Sequence, residues 1–345
     1  MATANELVFF YPYGHEAHAY SGHPERPERV ETIRAALQNA GWWESFAKLE
    51  PEKIPEPIIY KIHDPAWMLQ LEAICREFDY LDINTYVTPS SYDLALRAAG
   101  GTAAVASSVW KRKAKRGFSL ARPPGHHATR QRGGGFCLLN NIALAAEVLL
   151  QQEGAQRLAI VDLDLHHGNG TQDIFWQRND VLYISTHQMP LFPGTGQLYE
   201  TGGGMGKEAT ANFPLPPGAG DKAFRTVLEE LIMPLLDRFA PEMLLISFGF
   251  DTHWRDPIGS LLLSAGEYGH LIASLAYWAD EHCEGRIILV LEGGYDLAAA
   301  SACATAVTAA LLGLSWSDPI GHAPYGEDFS WQQMVAQAKR LWGIR

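Results

Sequence analysis

The sequence predicts an α/β fold, a parallel β-sheet covered by helices on both faces, in a single domain spanning residues 1–345. Three observations predict it. Strand-like apolar runs alternate with helix-like ones, and those runs are almost continuously apolar, as strands buried on both faces must be. No low-complexity stretch, internal repeat or Pro/Ser-rich linker divides the chain. Every cluster of chemistry-bearing polar residues falls directly after an apolar run, at the carboxyl end of a strand, where open α/β sheets place their ligands.

The elements follow in chain order. Leu7 to Tyr11 is the first strand, and Pro27 to Ala40 the first helix. Leu94 to Arg116 is a long helix. Its closing "KRKAKRG", Lys111 to Gly117, reads as a last turn whose cations suit the helix dipole and whose glycine supplies the stop. Phe118 to Ala121 follows at once as a strand. Further strands are Leu158 to Val161, Val181 to Ser185, Met243 to Phe248 and Ile287 to Leu291. Helices Asn141 to Glu153, Ala223 to Phe239, Ser264 to His282 and Ala298 to Leu312 lie among them. The glycine runs Gly133 to Gly135 and Gly202 to Gly206 sit between patterned segments and read as loops.

Composition narrows the function classes. The net charge is −12, from 27 Lys+Arg against 39 Asp+Glu, which argues against nucleic acid as the partner because phosphate binding relies on cations. A cationic substrate is compatible with that balance. Cys75, Cys137, Cys283 and Cys303 are scattered and form no CxxC pair, so free thiols in a reducing, cytoplasmic compartment are expected. The opening "MATANELVFFYPYG" has no basic n-region and does not read as a signal peptide. No apolar stretch is long enough to span a membrane, and a homo-oligomer remains compatible with the sequence.

The segment "VDLDLHHGNG" carries the strongest chemical signal. In extended backbone Asp162, Asp164 and His166 project to one face, and Val161, Leu163 and Leu165 to the other. Acids buried in that setting need compensating positive charge, and the segment has no Lys or Arg. A divalent cation would supply it. Asp164 and His166, joined by Asp251 from "GFDTHWRDP", make three protein ligands with an open position, the pattern of a catalytic zinc. Mixed nitrogen and oxygen ligands leave iron, cobalt and manganese open.

The rigid "RPPGHHA" turn carries His126 and His127, suited to take a proton from attacking water and to assist the leaving group. Asp162 and Asn169 are expected to hold their outer ring nitrogens. Tyr295, on a flexible Gly293–Gly294 approach, would donate its hydroxyl to a developing oxyanion, and His167 would support the loop. The chemistry assembled is metal-assisted hydrolysis of an amide or ester.

With "HPERPERV", "GGGFCLLNN", "FPGTG" and "EGGYD" added in order from His23 to Asp296, the sequence resembles the zinc-dependent histone deacetylase and acetylpolyamine amidohydrolase superfamily, nearest its class II and bacterial-type members. The resemblance implies an arginase/deacetylase-like three-layer αβα fold with a mainly parallel sheet of about eight strands. It implies zinc on Asp164, His166 and Asp251, a structural potassium held by Asp162 and Ser185, and a carbonyl-polarising Tyr295. It implies that Asp162 pairs with His126, that Gly135, Phe136 and Phe192 wall an acyl-lysine tunnel, and that Arg29 adjoins an internal cavity linked with acetate release. Ile258 occupies the rim position after "RDP", and Asp82 or Asn84 the place of an aspartate that holds the substrate backbone. The implied reaction is removal of acetyl or another acyl group from N-acetyl-lysine, with acetylpolyamines or other small acetylated amines as the alternative. The apolar Ile258 weighs against polyamines. An acyl-lysine-reading pseudoenzyme or a binuclear arginase-type hydrolase ranks lower, since the ligands and Tyr295 are all in place and His253 stands where a second carboxylate would be wanted.

Overall fold

The computed structural model describes residues 5–345; the first four residues of the segment read as lacking leader character lie outside it. Eight strands build one sheet: β1 (Leu7–Phe10), β2 (Ala47–Leu49), β3 (Arg116–Ser119), β4 (Leu158–Asp162), β5 (Val181–Gln188), β6 (Thr210–Leu215), β7 (Leu244–Phe248) and β8 (Ile287–Leu291). Their order is β2-β1-β3-β8-β7-β4-β5-β6, and every neighbouring pair is parallel. The expected three-layer α/β architecture is therefore present, with a sheet wholly rather than mainly parallel.

Alternation along the strands sorts side chains onto two cores. On one face Phe9, Phe118, Val161, Ile246 and Leu289 pack under α1 (Glu28–Asn39), α9 (Ala265–His282), α10 (Leu297–Leu311) and α11 (Trp331–Trp342). On the other, Phe10, Ile160, Leu245 and Ile288 pack against α2 (Glu56–Ile62), α3 (Pro65–Cys75), α4 (Ser91–Trp110) and α5 (Asn141–Gln152). Central strands covered on both sides have no polar face, which is why they read as continuous apolar runs. Truncating Ile246, fully buried in β7, to alanine would cost about 2–5 kcal/mol.

Several elements differ from expectation. The long helix stops at Trp110, not Arg116. Lys111 to Lys115 form a turn in which Arg112, at φ 57°, takes the left-handed conformation expected of the glycine. Arg116 is buried and opens β3, while a Cβ on Gly117 would lie 2.3 Å from Val105, so this glycine serves close packing rather than helix termination. The segment from Asp221 stays helical to Phe239 as α7 (Asp221–Val227) and α8 (Met233–Phe239), but the turn between them, Leu228–Ile232, is π-helical just before Pro234, which has no N–H to donate. The strands absent from the sequence reading, β2 and β6, are the two sheet edges. One is three residues long; the other, "TANFPL", carries Thr210, Asn212 and Pro214, as a strand with one unpaired side can. Also unread were α2, α3, α11, α6 (Asn169–Phe175) and a short antiparallel hairpin pairing Asp79–Tyr80 with Tyr86–Val87. No helix of the described residues is long and apolar enough to cross a membrane.

A candidate metal centre with paired histidines

The site lies where β3, β4, β7 and β8 end. Register places Asp162 beside Ser185 on β5 and Ser247 on β7, so the chain leaving β4 crosses the carboxyl edge at the middle of the sheet. Val161, Leu163 and Leu165 turn into the α1 and α9 core, as strand alternation requires, which leaves Asp162, Asp164 and His166 together on the other side.

Ligand-type atoms of Asp164, His166 and Asp251 all lie within 4.8 Å of one another, and the three residues are buried. His166 Nδ1 is 3.2 Å from Asp164 Oδ1 and 3.3 Å from Asp251 Oδ2. Asp251 Oδ2 is buried and makes no well-formed hydrogen bond. Gly293 N donates to Asp164 Oδ2 at 2.8 Å, and Leu165 N to Asp251 Oδ1 at 3.2 Å. Two carboxylates at this separation repel, and burial and Asp164 together hold Asp251 above the usual carboxylate range. Burial disfavours a charged His166, but the carboxylates of Asp164 and Asp251 outweigh it and raise the imidazole to about 9. A divalent cation fits this donor set, satisfying the orphan oxygen and relieving the repulsion.

The glycines around it are required by close approach. A Cβ on Gly249 would sit 1.9 Å from Asp164 Oδ2, and one on Gly293 2.1 Å from Asp251 Oδ2. Gly294, at φ 112°, packs on Phe250. The Gly293–Gly294 approach to Tyr295 is thus tightly held, not flexible as the sequence suggested.

The two histidines share a turn but not an environment. His126 Nδ1 is 3.1 Å from Asp162 Oδ2, whereas His127 Nδ1 is 2.8 Å from the amide oxygen of Asn169, which opens α6. Burial opposes a charged His126, but Asp164, Asp162 and Glu292 prevail and push it up to about 10. Among the described residues no carboxylate hydrogen-bonds His127; burial and the His126 and His166 rings drive it well below 6.5. With Nδ1–H donated to Asn169, its Nε2 keeps a free lone pair. Asp162 also accepts from the Tyr183 hydroxyl at 3.1 Å. Ser185 Oγ pairs with His187 Nδ1 at 2.9 Å. His167 braces the loops as expected, through Thr195 Oγ1 at 2.8 Å and Gln172 Oε1 at 3.0 Å.

Above the acids opens a cavity of about 500 Å³, whose walls include Gly135, Phe136, Phe192, Ile258 and Tyr295. The sequence-predicted wall and rim residues therefore converge on one space. Gly135 and Phe136 both have positive φ, 54° and 71°. They are latched from the hairpin side, Gly135 N by Asp82 Oδ2 at 3.0 Å and Phe136 N by Thr85 Oγ1 at 2.9 Å. Asp82 Oδ1 accepts from Asn84 N and Thr85 N, so both its oxygens are engaged.

Arg29 is buried, not a surface cation. It donates to the carbonyls of Gly294 and Glu292 and to Glu25 Oε1, and its guanidinium lies 4.9 Å from the Tyr295 ring centroid. Glu25 in turn holds the buried Arg122. Burial resists charge on Glu25, but Arg122 and Arg29 keep its carboxyl at about 2. Asp256 and Glu292 stand inside the quoted motifs, yet nothing in the sequence alone marks a role for them. Asp256 Oδ2 accepts the N–H of Tyr295 and of Asp296, at 2.6 and 3.2 Å. An acid directly before a glycine pair or a proline is a weak signal by itself.

A model of the histone deacetylase domain matches residues 23–311 of this chain. A probable deacetylase of Archaeoglobus fulgidus is 43% identical over 277 residues, covering 80% of this chain and 77% of that protein. Histone deacetylase 14, chloroplastic, of Arabidopsis thaliana is 37% identical over 317 residues, covering 86% and 74%. The crystal structure of the HDA15 HD domain is similar with a TM-score of 0.90 at 32% identity, over 98% of this chain and 94% of that one.

Proposed function

The chain belongs to the histone deacetylase family, and from that membership we propose that it is a zinc-dependent amidohydrolase removing acetyl groups from N-acetyl-lysine side chains, its one catalytic domain spanning residues 1–345. The observation that carries the reading is the buried Asp164–His166–Asp251 triangle, with its orphaned carboxylate oxygen, at the base of a cavity walled by Phe136 and Phe192. Asp164, His166 and Asp251 would hold the zinc ion, which would supply Lewis-acid chemistry to the amide carbonyl and to water.

The chain's own groups account for the rest. His127, neutral and oriented by Asn169, takes the water proton on Nε2. His126, protonated against Asp162, delivers a proton to the departing amine. Tyr295 donates its hydroxyl to the oxyanion, a contribution of about 2.7–4 kcal/mol for such donors. Phe136 and Phe192 flank the aliphatic stem of the acylated side chain and exclude water. Asp162 and Ser185, adjacent across β4 and β5, would also hold a structural potassium ion. The four buried free thiols support a reducing, cytoplasmic setting.

Small acetylated polyamines are the second reading. They would want a free carboxylate near the mouth for the distant ammonium. The carboxylates lining the cavity are Asp164, at its base, and Asp82, whose oxygens already accept three backbone N–H groups. That favours acyl-lysine. The test compares kcat/KM for an acetyl-lysine peptide and an acetylated polyamine on zinc-loaded protein. A peptide preference beyond about tenfold, roughly 1.4 kcal/mol, supports the reading, and the reverse preference replaces it.

A further inference from the structure

Glu292 is fully buried, has no cationic side chain among the described residues bonded to its carboxyl group, and makes no direct contact with the reacting groups in the reaction outlined above. A buried carboxyl group in that position is costly unless hydrogen bonds offset the loss of water. Those bonds are specific. Oε2 accepts the backbone N–H of Gly125 at 2.7 Å and of His126 at 3.1 Å, while Oε1 accepts the Ser247 hydroxyl at 2.9 Å. One side chain at the end of β8 therefore ties the histidine turn after β3 to β7.

The carbonyl side of His126 is held as firmly as its N–H side. The His126 carbonyl accepts from Gly170 N and Thr171 N at 3.0 and 3.1 Å, in the first turn of α6. With N–H and C=O both fixed, the His126 backbone is left almost no rotation, and Asp162 then sets the ring. Gly125 has no room for a side chain, since a Cβ there would lie 2.5 Å from Asn141 N, so the turn cannot be restrained by packing a larger residue.

We propose that Glu292 is a positioning residue: its carboxyl group clamps the Gly125–His126 peptide so that the His126 ring stands between Asp162 and the metal centre. The inference rests on the functional reading above only for its kinetic arm. The clamp needs two acceptors' worth of geometry on one oxygen and a polar atom toward Ser247. Glutamine supplies both, with its amide oxygen toward the peptide and its NH2 toward the serine oxygen. Aspartate is one methylene too short, and alanine supplies neither.

The test compares Glu292→Gln, Glu292→Asp and Glu292→Ala in the full-length, zinc-loaded protein. Kinetics on whichever acylated amine the native protein hydrolyses are read beside zinc stoichiometry and the ¹⁵N imidazole resonances of His126. The clamp predicts that Glu292→Asp and Glu292→Ala lose kcat by about 10- to 100-fold, as displacement of a reacting group by an ångström does, with KM and zinc content close to native. With Asp164 and Asp162 still facing the ring, it predicts that Glu292→Gln keeps kcat within about threefold and leaves the His126 resonances much closer to native than the other two variants do. Native kcat in Glu292→Asp, or a glutamine variant as poor as the aspartate one, overturns the proposal. Should the alanine variant fail to fold, the Gln and Asp pair decides alone. If the native protein hydrolyses no acylated amine, the functional reading fails, while the resonances of His126 still decide the clamp.

Discussion

Asp256 Oδ2 holds the backbone N–H of Tyr295 at 2.6 Å, while Oδ1 of the same carboxylate holds that of Ile258 at 3.0 Å. One buried side chain thus ties the hydroxyl-bearing loop to the rim of the cavity. Asp256→Ala should lower kcat by about 10- to 100-fold through a displaced Tyr295, with zinc content unchanged. Steady-state kinetics with metal analysis checks it; native kcat would show that the bonds of Gly293 and Gly294 to Asp164, Phe250 and Arg29 hold the loop without Asp256.

Tyr295→Phe removes the hydroxyl and leaves the ring packed on Phe136, at 5.8 Å between centroids. The expected loss is about 10²–10³-fold in kcat with KM little altered, because the hydroxyl acts on charge that develops after binding. A rise in KM at constant kcat would instead assign it to substrate binding.

Gly249→Ala should abolish zinc retention. Its Cβ would be driven to 1.9 Å from Asp164 Oδ2 and 2.3 Å from Asp251 Oδ1, so at least one ligand must turn away. Zinc content after dialysis measures this directly. Chelation of the native protein should likewise remove activity, and readdition of zinc, iron(II) or cobalt(II) in turn would rank the metals.

The Glu25 network predicts a particular acid response. Its carboxyl stands at about 2 in the folded protein against an ordinary 4.5, held down by Arg122 and Arg29 against the effect of burial. A depressed folded value means stability that is present above about 4.5 and lost as pH falls toward 2. Urea midpoints from pH 6 to pH 3 should therefore fall for the native protein. Glu25→Gln should start about 3–5 kcal/mol lower, as when a buried ion pair is broken, and fall less steeply over that range. Parallel curves would exclude the network as the source.

How much of this was legible depends on what each residue's neighbours are. The central strands could be read because burial on both faces makes their runs mostly apolar and leaves the few polar residues near their ends; Ile160 and Ile246 announce themselves. β2 and β6 could not, since an edge tolerates Asn212 and Pro214. Asp164, His166 and Asp251 stand out as polar groups where apolar ones belong, and they do converge. Arg29 was legible only by resemblance, and its hydrogen bonds to Glu292 and Gly294 depend on a chain fold that no local pattern encodes. The basic run misled because Arg112 adopts a conformation that glycine usually takes, so composition placed the helix end six residues late.

The all-parallel sheet has a consequence for how the chain reaches its native state. Arg29 meets Gly294 across 265 positions, and Leu165 meets Asp251 across 86. No hairpin can nucleate such a sheet, and each strand pairing must close a long loop before it is rewarded. β8, which delivers Glu292 and leads to Tyr295, lies between β3 and β7, so the last strand made must enter the centre of a sheet already begun. During synthesis from the N-terminus, β3 and β7 therefore wait with unpaired edges. A chain truncated before Ile287 would not be a slower version of this protein but an aggregation-prone intermediate.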